Sequence, residues 1–253
     1  MDCWSRCTRW FRRDDAIPDA LWAEALTALP YTSALPAAEQ ARLRELAIRF
    51  LRRKTFEGAA GLEVTDNMRV RIAVQACMLI LNLDFDYYAG WRSIILYPGD
   101  FRVSKGSVDQ TGVVHHWTEE LAGESWENGP VILSWDSLSD SDDHRNLVLH
   151  EFAHKIDMRD GTADGCPPLP PEISPHAWTR DFQDAYQRLN AALERSAASA
   201  IDAYAAESPA EFFAVTSELF FLHPETLMAE SPAVYRQFCA FYRQDPYAIL
   251  RRA

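Results

Sequence analysis

Two histidines four residues apart, with a glutamate after the first, constrain this chain more than any other feature: His150-Glu151-Phe152-Ala153-His154. Residues at i and i+4 share one face of an α-helix, one turn apart, so both imidazoles can reach a single metal ion if residues 146–158 are helical. The flanking residues argue for that helix. Leu149, Phe152 and Ile156 form an apolar stripe with the histidines off it, Asp142 or Asp143 is placed to cap the start, and Gly161 can end it. Glu151 then stands beside the first imidazole, where its carboxylate can take a proton from water polarised by the metal. With 7 His and 17 Glu in 253 residues, about 0.01 such matches arise by chance, so a metal site outweighs two ordinary helix histidines.

Catalytic zinc keeps three protein ligands and one open position, so a third ligand is needed. An HExxHxxGxxH continuation fails, because Asp157 and Asp160 stand where its glycine and last histidine would be. Glu172 lies in Pro170-Pro171-Glu172-Ile173-Ser174-Pro175, which excludes a helix and would hold the carboxylate loosely. Glu211 is better placed, on a helix opened by Ser208-Pro209-Ala210-Glu211. Yet Ser208 and Glu211 also fit a capping box with Pro209 at the first helical position, and spacing alone leaves ligand and cap equally open. Cys166 could close the site as a further ligand, although a small buried hydrophobe is the plainer reading. Asp157 and Glu218 could each orient a metal-binding imidazole, or be solvated.

Around this centre, helical periodicity predicts helices over 18–29, 37–53, 66–81, 178–196, 209–222 and 232–242, and strand composition marks 91–97 and 131–135. Helices, then strands, then helices predict an α+β fold in a single domain over 16–253 rather than a βαβ alternation. The helical layer would span about 16–90, the strands 91–135 and the active-site helices 143–253. Residues 1–15 read as a flexible basic and aromatic tail, whose Cys3 and Cys7 have the wrong spacing for a redox pair. A formal charge of −12 disfavours direct nucleic-acid binding, and no apolar run is long enough to span a membrane. Five scattered cysteines and no secretory signal point to the cytoplasm. His115-His116-Trp117 reads as a surface loop, and His144, His176 and His223 have no partners at ligand spacing.

Leu149-His150-Glu151-Phe152-Ala153-His154-Lys155-Ile156-Asp157, then Asp164-Gly165, then Tyr204-Ala205-Ala206-Glu207-Ser208-Pro209-Ala210-Glu211-Phe212-Phe213-Ala214-Val215 closely resemble the MtfA (Mlc titration factor A) family of zinc peptidases. The last block is also similar to the equivalent segment of the anthrax lethal factor peptidase domain. Further likeness covers 51–56, 72–83, Tyr97-Pro98, 123–126, 129–135 and Asp245-Pro246. The resemblance implies one zinc per chain on His150, His154 and Glu211, with Glu151 as general base. It implies that Tyr204, which alone would read as a core tyrosine, is the phenol that binds the developing oxyanion. It further implies a mainly helical zincin-like fold with a small mixed sheet, the metal lying between the HExxH helix and the Glu211 helix, and peptidase activity of gluzincin type. A peptide or protein substrate would run along an edge strand, taken as 131–135. The family also implies an Mlc-like transcriptional repressor as partner and a link to sugar uptake. Two rival readings stay open: a regulatory protein that sequesters the repressor with weak or conditional proteolysis, and a structural zinc protein. Aminopeptidase and internal cleavage are likewise both open.

Overall fold

The computed structural model describes residues 16–108, 114–126, 129–139 and 145–252. The tail expected over 1–15 lies outside the described residues. The first periodic segments form α1 (Asp19–Leu26), α2 (Pro30–Ala34) and α3 (Ala37–Arg53). The third has the bounds its periodicity predicts, burying Leu43, Ala47, Phe50 and Leu51 on one face and ending where Lys54 turns extended. Next come β1 (Thr55–Gly58), α4 (Asp66–Leu79), a 3-10 turn at Phe85–Tyr88 and β2 (Ser93–Tyr97). Thr65 caps α4, accepting the Met68 N–H, and that helix is buried almost throughout.

β3 (Phe101–Val108) and β4 (Val114–Leu121) pair antiparallel as a sheet of their own. β5 (Gly123–Ser125) pairs antiparallel with β6 (Val131–Ser134), which lies parallel to β2, as β2 does to β1. The result is a four-stranded mixed sheet in the order β1-β2-β6-β5, consistent with the α+β expectation.

Three readings are corrected by this topology. The segment after α3, read only as a break, carries β1, so a strand lies within the supposed helical layer and β1, α4 and β2 form a parallel βαβ crossover. His115 and His116 lie on β4 rather than in a loop. The strand at 131–134 is no edge, since β2 and β5 flank it, and Trp135 already opens the next helix. The open edge beside the site belongs to β5.

The rest of the chain is helical: α5 (Trp135–Ser139), α6 (Leu147–Asp157) with a 3-10 turn at Met158–Asp160, α7 (Pro175–Glu194), a 3-10 turn at Ala203–Ala206, α8 (Pro209–Leu222), α9 (Pro224–Glu230), α10 (Pro232–Tyr242) and α11 (Pro246–Leu250). Proline opens each of the last five helices, where its missing N–H costs no helical hydrogen bond. One continuous cluster of buried apolar residues runs from Ile17 to Tyr242. Within it α6 is the centrepiece, because Phe152 packs its ring against Phe50, Tyr88 and Trp91 at centroid distances of 5.6, 5.4 and 5.7 Å. On the other side, α8 and α10 meet through Phe213 and Phe238, 5.7 Å apart. Among the described residues, no helix is long and apolar enough to cross a membrane.

Candidate metal centre

Asn146 caps α6, its side-chain oxygen accepting the Leu149 N–H at 2.9 Å. Asp142 and Asp143, expected in that role, lie outside the described residues, as does His144. The helix runs into the 3-10 turn and stops at Gly161, whose φ of 99° is the left-handed conformation expected of a terminal glycine. Along it, the Nε2 atoms of His150 and His154 converge to 3.1 Å. From α8, Glu211 Oε2 lies 3.0 Å from His150 Nε2 and 3.4 Å from His154 Nε2. Only half of a capping box forms at Glu211. Its backbone N–H donates to Ser208 Oγ at 3.1 Å, so its main chain is capped, while its carboxylate turns to the imidazoles rather than back to Ser208.

Seven residues on, two turns along the same face of α8, Glu218 settles the state of His150. Its Oε1 accepts from His150 Nδ1 at 2.7 Å and its Oε2 from the Asn146 backbone N–H at 2.7 Å. Glu218 is thus buried and paired, not solvated. Because a carboxylate only accepts, Nδ1 carries a proton, and Nε2, once a metal displaces any proton there, is the atom left to present a lone pair. Burial opposes charge on His150, but the Glu211 and Glu218 carboxylates outweigh it and hold its pKa well above the usual range. Burial likewise works against the Glu211 carboxylate, and the two imidazoles overcome it, lowering its pKa.

Glu211 Oε2 makes no hydrogen bond although it is buried. A buried carboxylate oxygen facing two ring nitrogens at 3.0 and 3.4 Å is costly unless a proton or a metal ion lies between them. Two imidazoles and a carboxylate with ligand atoms within 4.8 Å of one another form a donor set that suits a divalent transition metal. The residues present therefore fit a metal ion.

Glu151 Oε2 is also buried and without a partner, and burial raises this carboxyl's pKa. Its other oxygen lies against Gly123 of β5, where a Cβ would come within 2.4 Å, so only glycine leaves the carboxylate its room. β5 is tied to α6 beside it. Ser125 Oγ donates to the Glu151 carbonyl at 2.9 Å, and Lys155 Nζ donates to the carbonyls of Trp126 and, at 3.0 Å, Gly129. Tyr204 sits in the 3-10 turn before α8, its N–H donating to Asp202 Oδ1 at 2.9 Å. It is 40% exposed with its ring 5.9 Å from that of His150, so the core reading fails and the residue lines the same cleft. A cleft of about 250 Å³ takes in His150, Glu151, His154, Tyr204, Glu211 and the edge of β5.

The remaining candidates fall elsewhere. Glu172 sits in a turn 3.7 Å from the Arg243 guanidinium, and Cys166 packs against the core outside the cluster. Asp157 does not orient His154, since one of its oxygens accepts the Gly165 N–H and the other has no partner. The sequence assigned no role to Gly123, Ser125 or Asn146; those of Gly123 and Ser125 depend on how β5 lies against α6, whereas the Asn146 cap is local. Among the described residues, His150, His154 and Glu211 are the one group able to hold a metal ion.

A family model described as glucose-regulated metallo-peptidase M90 matches residues 3–243. The chain belongs to the M90 metallo-peptidases. Similar relatives carry the name Mlc titration factor A. The protein from Enterobacter sp. (strain 638) is 38% identical over 250 residues, covering 96% of this chain and 94% of its own. That from Salmonella gallinarum is 41% identical over 234 residues, 91% of this chain and 88% of its own. That from Klebsiella pneumoniae subsp. pneumoniae is 39% identical over 231 residues, 90% and 87%. An M90 metallo-peptidase implies a bound metal ion, and the cluster between α6 and α8 is where this chain can hold one.

Proposed function

We propose that this M90 metallo-peptidase is a zinc-dependent peptidase of gluzincin type on a zincin-like fold, with one zinc ion held by His150, His154 and Glu211. When bound, zinc supplies a Lewis acid that polarises the scissile carbonyl and acidifies water at neutral pH. The chain's own residues do the rest. Glu151 takes the proton of the attacking water and passes it to the departing amine, a task suited to a carboxyl whose pKa burial raises. Tyr204 donates its hydroxyl to the oxyanion that develops on the carbonyl oxygen. Glu218 fixes the His150 tautomer from behind. The substrate backbone adds to the open edge of β5, which replaces 131–135 in that role.

The observation that carries this reading is the buried, unpartnered Glu151 oxygen in the cleft beside the histidine pair. A protein that only binds a partner has no use for such a group. The relatives' name, Mlc titration factor A, favours a second reading: a cytoplasmic regulator that sequesters an Mlc-like repressor, with proteolysis weak or conditional. Glu151→Gln separates them. Metal analysis should find one zinc per chain in both wild type and variant, while peptide hydrolysis falls by about 10² to 10⁴-fold, the usual worth of a general base. Undiminished hydrolysis by the zinc-replete variant would shift the assignment to the binding role. Running the assay on one peptide with a free and a blocked N-terminus tests the aminopeptidase mode, which requires the free amine.

A further inference from the structure

Asp157 is fully buried one turn beyond His154, and nothing in the chemistry above uses its carboxylate. Oδ2 accepts the Gly165 N–H at 2.9 Å and Oδ1 has no partner. Burial pushes this carboxyl up to about 7. Such a group is expensive to keep in an interior for a single hydrogen bond, so what that bond holds matters. Gly165 has a φ of +78°, and a Cβ on it would lie 2.5 Å from the Pro209 carbonyl oxygen. Its own carbonyl accepts from Trp178 Nε1 at 3.1 Å, and Trp178 stacks on Phe182 with centroids 4.3 Å apart. Gly165 is thus wedged between the end of α6, the side of α7 and the first residue of α8. Glu211 follows Pro209 by two positions, on the same first turn.

We propose that Asp157 is a positioning residue for the metal centre: by holding Gly165 against Pro209 it fixes how far the start of α8 stands from α6, and so brings the Glu211 carboxylate to His150 and His154. The inference rests on the zinc site proposed above. Ligand geometry tolerates errors of only about 0.5 Å, and supporting contacts of this kind are typically worth 10- to 100-fold in metal affinity.

The test is zinc affinity by chelator competition, with the visible absorption of the Co²⁺-loaded protein reporting ligand geometry. Asp157→Ala should bind zinc about 10- to 100-fold more weakly and change the Co²⁺ bands. Asp157→Asn keeps an oxygen for the Gly165 N–H and should stay within about threefold of wild type, a rescue that a purely charge-based role would not show. Wild-type zinc affinity and an unaltered Co²⁺ spectrum in Asp157→Ala, whatever its melting temperature, would overturn the proposal, as would equal losses in the two variants. Should Asp157→Ala fail to fold, Gly165→Ala probes the next link by forcing Pro209 away. Weakened zinc binding is expected there, and unchanged affinity overturns the proposal. His150→Ala serves as the separate check on the site itself: full zinc retention in that variant refutes the ligand assignment, independently of what the Asp157 variants do.

Discussion

Helix α8 faces two interiors that obey opposite rules. Towards α7 and α10 it sends Phe213 and Phe220 into a nest of rings with Trp178, Phe182, Phe238 and Tyr242. There the polar tips are paired: Trp178 Nε1 with the Gly165 carbonyl, and the Tyr242 hydroxyl with Ser217 Oγ at 2.9 Å. Towards α6 the same helix sends Glu211 and Glu218, and the buried oxygens Glu211 Oε2 and Glu151 Oε2 are left without partners. The closed face holds the helix in place, and the incomplete face is where an added ion or substrate gains most by completing it.

If the two faces are energetically separate, their variants should fail in different ways. Phe238→Ala should cost about 3–5 kcal/mol of stability, a factor of roughly 10² to 10³ or more in the folding equilibrium, through the cavity left among the rings. Zinc affinity of the folded fraction should hold within about twofold, because the site lies on the other face. Urea unfolding with a parallel zinc titration checks this, and a joint loss would show that the ring nest also sets the ligands. Next in size is Tyr204→Phe, expected to lower kcat by about 10² to 10³ while KM, zinc content and melting temperature barely move. Steady-state kinetics decides it, and an unchanged kcat removes the phenol from the chemistry. Smallest is Glu218→Gln, whose amide cannot accept from both His150 and Asn146. Zinc should dissociate about 10- to 100-fold more readily, measured with a chromogenic chelator. No change would mean that Glu218 serves only to join α6 to α8.

What the sequence disclosed follows the range over which each signal acts. The bounds of α3, α8 and α10 were legible because periodicity and terminal prolines act within a few residues, and His150 and His154 because one helical turn relates them. β1 was missed since four residues of Thr-Phe-Glu-Gly acquire meaning only beside β2, across a helix. Which strand is the edge is likewise a matter of pairing, invisible in the composition of 131–135. Glu211 read as ligand or cap because its main chain and its side chain do different things, and local spacing sees only the first. Glu218 carried a usable signal, its seven-residue offset from Glu211 on one helix face. Its pairing with Asn146 and His150 depends on how α6 lies against α8.

The double use of Glu211 also says where this chain can change its length. Ser208 sets the first turn of α8 and Glu211 turns its carboxylate to the two imidazoles from that turn, so one residue inserted between them would swing the carboxylate about 100° around the helix. Insertions in the exposed turn at 195–198, by contrast, fall between α7, anchored by Trp178, and a start of α8 that is anchored on its own. Length variants and engineered insertions should therefore be accommodated in that turn and rejected at the cap.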